Sequence, residues 1–527
     1  MNHCVRLIPP RLGKPKPHKM SSSSLNCYKG WSREELIERI TLLESKKDRP
    51  AVNPQPVIQP KEFSFSSHPR RKIALKFSYS GWEYGGLAFQ LGPTPLPTVE
   101  AVLFDALAKA RLIDQEAGFE GCGWEKCGRT DRGVSAAGQV VSLWVRSALP
   151  AEHNGNLELA ETTVPSISTS SQDQVPTSEY QITDAEDDFG SLDISSIPSP
   201  SEATTSKPKF EHDYLSILNR LLPDTIRVLA WSPVAPTFSA RFSCLYRHYK
   251  YFFSPLGLDI PRMQQAALQL VGDHDFRNLC KLDPQKQITI FRRKVITAEI
   301  EPLSLVENGE GVHVFNLVGT AFLYHQVRHI MAILFLVGTG LEPPSVVSSL
   351  LNVEAGVEPT KDGDSPYEVV DRKPDYQMAD ALPLMLWECG YPKTEVSWRT
   401  TGKPDDDGPA QGGTLYHQMQ SIHSRSQIYT TLNQHFLAAA SIHHPPPPSV
   451  FPVSDVNLLP REAMNIPLGG GTFKRSNNYT SLLKRNRLDT VEVMNERWRT
   501  GKGFRRDERR KAAEGGPVPD DHDDEDE

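Results

Sequence analysis

The sequence predicts an α+β fold built on a largely antiparallel sheet. Two kinds of segment carry this reading: short stretches in which apolar residues alternate, bounded by turns, and stretches with apolar residues at helical spacing. The second half of the chain repeats the mixture of the first, which adds to the α+β pattern.

The first core segment begins at Lys72, where Ile73, Leu75, Phe77 and Tyr79 alternate as in a half-buried strand, and a turn follows at Ser80-Gly81. Thr98 can cap a helix carrying Val99, Val102, Leu103, Ala106, Leu107 and Ala110 on one face, and Val140 to Val145 then reads as a strand. Beyond a Ser/Thr/Asp-rich stretch, Tyr214 to Leu222 reads as a helix, Ile226 to Trp231 as a strand and Tyr246 to Phe253 as an aromatic strand. Gln264 to Val271 and Phe322 to Val337 read as helices; Lys294 to Ile300, Val312 to Val318 and Leu384 to Cys389 read as strands. Ahead of the core, Leu36, Ile40 and Leu43 predict a short amphipathic or coiled-coil helix, and residues 400 to 470 show little periodicity beyond a helix near 427 to 440.

A chain of 527 residues exceeds one ordinary core. Composition divides it into a basic tail, short helix and Pro-rich linker (1–70), a first core half (71–147), an acidic insertion expected to be disordered (148–208), a second core half (209–395), an insertion or extension (396–470), and a basic segment with an acidic tail (471–527). The first residues hold Arg6, Arg11, Lys14, Lys16, Lys19 and Lys29 with no acid, as in an organelle transit peptide or a plain basic tail; Pro9, Pro10, Pro15 and Pro17 oppose the helix a transit peptide needs.

The formal net charge is −7, yet the acids concentrate in 151–207 and 520–527, and the rest of the chain is left at about +10, a balance compatible with a phosphate-binding surface. Cys4, Cys27, Cys122, Cys127, Cys244, Cys280 and Cys389 are odd in number and never spaced C-x-x-C, so neither a disulfide framework nor a zinc ribbon is indicated. No apolar run approaches bilayer length, and the expectation is a soluble intracellular protein without a membrane partner. The run of bases from Lys474 to Arg510 reads as a solvated tail, a nucleic-acid contact or a nuclear signal.

The segment richest in chemistry is Cys127-Gly128-Arg129-Thr130-Asp131-Arg132-Gly133-Val134-Ser135-Ala136. It places one acid between two arginines and two glycines, directly before a β-branched strand. Such a tight loop can present a single carboxylate held ionised by a neighbouring arginine, or it can be an ordinary surface turn.

This loop, with Gly138-Gln139-Val140, resembles the catalytic loop of the TruA family of tRNA pseudouridine synthases. Further motifs agree in order: Tyr79 to Gly86 through Gln90, Phe238 to Ser243 followed by Arg247-His248-Tyr249-Lys250-Tyr251, Gly272 to Phe276, and Phe322 to Arg328. Trp82 to Gln90, Asp275 to Lys281 and Met331 to Leu336 most resemble the eukaryotic branch acting on tRNA positions 38 and 39; the sister branch of broader specificity shares the Asp131 loop.

The resemblance implies a TruA-like fold with a catalytic cleft between two similar halves. It also implies a cofactor-free isomerisation in which the glycosidic bond of a uridine is broken and remade through C5. It assigns Asp131 as the catalytic carboxylate, Tyr249 against the target base and Arg328 paired with Asp131. Arg129 matches the residue associated with flipping the uridine, and Arg132, Arg241, Arg247, Lys250 and His325 are expected to meet RNA. The partners it implies are the anticodon arm of tRNA and a second copy of the chain. Tyr249 can instead be a core aromatic, the arginines structural ion pairs, and His325 with His329 a helical metal pair lacking a third ligand. The competing functions are a tRNA-binding protein without chemistry and an acid–base hydrolase, which needs a second carboxylate or a metal.

Overall fold

The computed structural model describes residues 32–45, 63–150, 210–303, 311–355, 367–402, 413–446, 450–454 and 464–513. Most of the expected acidic insertion, the N-terminal basic stretch, the Pro-rich linker and the acidic tail lie outside the described residues. The chain divides into two units, Met1–Ser64 and Phe65–Glu527. In the first, α1 (Arg33–Ser45) begins at a capping box: Ser32 N donates to Glu35 Oε2 at 2.6 Å, and Glu35 N donates to Ser32 Oγ at 3.2 Å.

The second unit contains strands β1 (Arg70–Tyr79), β2 (Glu125–Lys126), β3 (Ser135–Arg146), β4 (Ile226–Pro233), β5 (Tyr246–Phe253), β6 (Gly272–Asp275), β7 (Arg292–Pro302), β8 (His313–Gly319) and β9 (Leu384–Gly390). They form one sheet in the order β4-β1-β3-β9-β5-β8-β7-β6, with β2 beside β3. Every pairing is antiparallel except β3 with β9, where Ser135 and Ala136 lie alongside Met385 and Leu386. That short parallel seam joins the two halves, and the Asp131 loop enters it directly.

Among the described residues there are two apolar cores, and their boundary does not follow the expected 71–147 and 209–395 division, since residues 214–244 pack into the first. The first packs α2 (Val99–Lys109) and α3 (Tyr214–Leu221) against β1, β3 and β4 through Leu75, Leu103, Leu107, Val141, Leu218 and Trp231. Thr98 caps α2 by accepting from Ala101 N at 3.3 Å. The second is organised by α4 (Ile260–Leu268) and α5 (Gln326–Gly338), the latter buried on almost every side. Tyr249 packs against both cores.

Two helices start elsewhere than periodicity suggests. Asp259 accepts from Arg262 N at 3.1 Å and Pro261 lies in the first turn, so α4 begins at Ile260, and residues Gly272–Asp275 become a strand. The segment expected to be helical from Phe322 is a turn as far as His325. Leu323 N donates to Gln326 Oε1 at 2.8 Å, and His325 adopts a left-handed φ of 58°, which no helix continues through.

Beyond α6 (Val346–Leu351), the helix expected near 427–440 is part of α7 (Gly413–His443), whose described side chains are almost all exposed. The following hairpin, β10 (Met464–Gly469) and β11 (Thr472–Ser476), and the helices α8 (Val491–Trp498) and α9 (Phe504–Ala513) carry the basic segment. Leu482 and Val491, within the basic segment, and Met464 and Ile466 just ahead of it pack into the second core. Among the described residues no helix is long and apolar enough to cross a membrane.

Candidate active site

The N-terminal motif forms the cradle of the Asp131 loop. A Cβ on Gly81 would lie 2.1 Å from Val134 O, and one on Gly86, at φ 107°, would press on Thr130 O and Arg132 N at 3.3 Å, so only glycine allows the two loops to meet. The hydroxyls of Tyr79 and Thr130 hydrogen-bond at 2.6 Å, Gly81 N donates to Ser135 Oγ at 2.9 Å, and Leu87 N donates to Thr130 O at 3.3 Å. The loop closes on itself where Val134 N donates to Asp131 O at 3.1 Å. Cys127, Cys244 and Cys389 are buried in the first core, where the Cys244 thiol donates to Tyr246 O at 3.1 Å.

The Asp131 side chain is 23% exposed. Its Oδ2 lies 3.2 Å from His325 Nε2 and 4.0 Å from Arg328 Nη1, both of them well buried. Arg328 is fixed in turn by residue 379: its Nε donates to Ala379 O at 2.8 Å, and Ala379 N donates to Arg328 O at 3.1 Å. One carboxylate is thereby presented to a cleft with cationic or donor groups behind it, an arrangement suited to nucleophilic attack or to proton removal at a bound sugar.

Tyr249 sits on β5 with its ring edge-on to Phe322 at 5.1 Å between centroids. Burial, and then the neighbouring Cys389 and Cys127, push its phenol upward, and the Asp131 charge adds to this. The phenol is therefore protonated at neutral pH, which suits stacking and hydrogen-bond donation better than unaided proton removal. His329 lies between Lys373, whose Nζ is 3.3 Å from its Nε2, and the ring of Tyr376; burial lowers its pKa to about 2, so it packs as a neutral ring.

The remaining expected RNA contacts separate. Arg129, Arg132 and Arg241 are exposed, with the Arg241 guanidinium 5.3 Å from the ring of Phe242, itself 80% exposed. Arg247 instead donates to Thr320 O at 2.6 Å, Cys127 O at 3.0 Å and Arg241 O at 2.9 Å, clamping three loops together. Lys250 lies over Trp387, 3.9 Å from the ring centroid, and strand periodicity puts it on the face of β5 opposite Tyr249.

Sequence reasoning missed the contact between His325 and Asp131, because nothing in a linear motif reveals the left-handed turn that folds the imidazole back. It also missed Phe242, whose exposure within Phe238–Ser243 is a candidate stacking surface, and a small pocket beside Tyr324 bordered by Lys281 and Lys286. Among the described residues no group of three His, Cys, Asp or Glu side chains is placed to hold a metal ion.

The profile of the tRNA pseudouridine synthase family matches residues 266–392. The chain is 35% identical over 493 residues to the tRNA pseudouridine(38/39) synthase of Saccharomyces cerevisiae, an alignment covering 90% of this chain and 92% of that protein. It is 39% identical over 346 residues to the mouse protein of the same name, with 63% of this chain and 58% of that one aligned. The human counterpart is 38% identical over 343 residues, covering 64% and 58%. The chain thus spans well under two thirds of the two mammalian relatives.

Proposed function

The chain belongs to the TruA family of tRNA pseudouridine synthases, and from that premise we propose that it isomerises uridine to pseudouridine in the anticodon arm of tRNA, at positions 38 and 39. The observation that carries this reading is the Asp131 carboxylate, presented at the seam of the two halves with His325 at 3.2 Å and Arg328 at 4.0 Å. Asp131 attacks or deprotonates the ribose, Tyr249 stacks on the uracil, and Arg129 helps to hold the extruded nucleotide while Arg132 and Arg241 meet phosphates. Arg328 orients the carboxylate, whereas Arg247 serves the reaction by holding the loops in place. Position 38/39 specificity is carried over from the names of the yeast, mouse and human relatives, and a broader choice of uridines is the alternative that the shared Asp131 loop keeps open. The enzyme acts as a homodimer on one tRNA, in nucleus and cytoplasm.

Tritium release from C5-labelled uridine tests this directly. A tRNA transcript carrying uridine at 38 and 39 is expected to release tritium, and transcripts with cytidine at both sites to release none. Release that persists without those uridines overturns the positional assignment. Tight tRNA binding with no release from any transcript identifies a binding protein instead.

A further inference from the structure

We infer that His325 is the residue that selects which oxygen of Asp131 reacts, by donating its Nε2 proton to Oδ2 and leaving Oδ1 to meet the substrate. This inference rests on the uridine-isomerase reading of the same site and gives His325 a positioning role rather than the RNA contact expected from sequence.

Three independent features of His325 point this way. Its backbone is one of only three non-glycine positions with positive φ among the described residues, at φ 58° and ψ 13°. A side chain held in that region marks a place where the surroundings impose the conformation, and strain of this kind collects at functional sites. The left-handed turn immediately before α5 folds the imidazole back over Tyr324, with ring centroids 3.9 Å apart, and leaves Nε2 3.2 Å from Asp131 Oδ2.

The second feature is the other ring nitrogen. Nδ1 is buried and has no hydrogen-bond partner among the described residues. With Nδ1 left without an acceptor, the imidazole proton is assigned to Nε2, the nitrogen that lies 3.2 Å from the carboxylate. The third feature is the convergence on one oxygen. Both His325 Nε2 and Arg328 Nη1 approach Oδ2, and among the described residues neither an ion pair nor a hydrogen bond reaches Oδ1. The Asp131 backbone is already held by the turn to Val134 N, so the side-chain rotamer is the freedom left to fix. Arg328, at 4.0 Å and committed to Ala379 O, holds the oxygen less closely than His325 does.

The test compares His325→Leu with His325→Gln. Both carry the same left-handed backbone strain, but only glutamine can return an N–H to Oδ2. With enzyme in excess over C5-tritiated tRNA, His325→Leu is expected to lower the single-turnover rate roughly 10- to 100-fold, with tRNA affinity within about twofold of wild type. His325→Gln should recover most of the rate. Equal rates in the two variants, or a loss that lies wholly in tRNA affinity, overturn the positioning role. His325→Met, an unbranched apolar filler of the same slot, replaces the leucine variant if thermal unfolding shows the latter misfolded. A wild-type enzyme without tritium release would instead reject the isomerase reading itself, so the two failures are distinguishable.

Discussion

The floor and the rim of the cleft use the same residue type for opposite purposes. On the floor, the guanidinium groups of Arg247 and Arg328 are already spent on backbone carbonyls of Thr320, Cys127, Arg241 and Ala379. At the rim, no hydrogen bond or ion pair holds Arg129 or Arg132 among the described residues, and Arg241 rests on an exposed phenylalanine. An arginine that is spent on backbone carbonyls builds the site, and an exposed one is available to neutralise phosphate. The motifs contain both kinds and do not distinguish them.

The comparison is broken most severely at Arg247. Replacing it with methionine leaves three carbonyls without their donor and should destabilise the fold by about 3 kcal/mol, read as a lower urea midpoint; a midpoint equal to wild type would move Arg247 to the rim. Lys373 sharpens the floor from behind. It is buried, donates to Cys280 O at 2.5 Å, and burial lowers its pKa to about 8.

Because the folded value lies below the unfolded value of about 10.5, the unfolded chain binds more protons between those two pH values. Stability from this group therefore rises from pH 8 to 10.5 and is lost as pH falls back through 8. Relative to Lys373→Met, wild type should gain on the order of 2–3 kcal/mol across that window. A pH-independent difference between the two urea midpoints would contradict a buried, titrating lysine.

Rim substitutions are expected to act on tRNA affinity and not on stability. Arg132→Gln and Arg241→Gln should each weaken tRNA binding by roughly 3- to 10-fold and reduce the salt slope by about 0.7–0.9 for each phosphate left without its cation, whereas Arg129→Gln should also lower the single-turnover rate, all with unfolding midpoints unchanged. The smallest effect belongs to Lys250, whose partner Trp387 is on the face of β5 away from Tyr249. Lys250→Met should cost about 0.5–1 kcal/mol of stability and leave tritium release at the wild-type rate; a large fall in release would return Lys250 to the cleft.

Much of the fold was legible because apolar alternation is a local signal. Tyr246 to Phe253 occupies β5 as expected, and the Thr98 cap sits where the helix begins. The starts of α4 and α5 were not legible from periodicity, since Asp259 and the left-handed His325 override it. The strand at Gly272–Asp275 is short and polar, and its pairing with β7 is a tertiary event. At the site, the Asp131 loop announced itself by composition, but the assignment of each arginine to floor or rim depends on carbonyls up to 120 residues away in the chain.

The central claim is that one carboxylate, Asp131, performs the chemistry on a floor whose other groups hold it in place. Single-turnover tritium release by Asp131→Asn, measured beside wild type on the same tRNA, tests it most directly, because asparagine keeps the shape of the side chain. The account predicts a rate lower by roughly 10³-fold or more, with tRNA affinity within about twofold. Release by Asp131→Asn at a rate near that of wild type would contradict it.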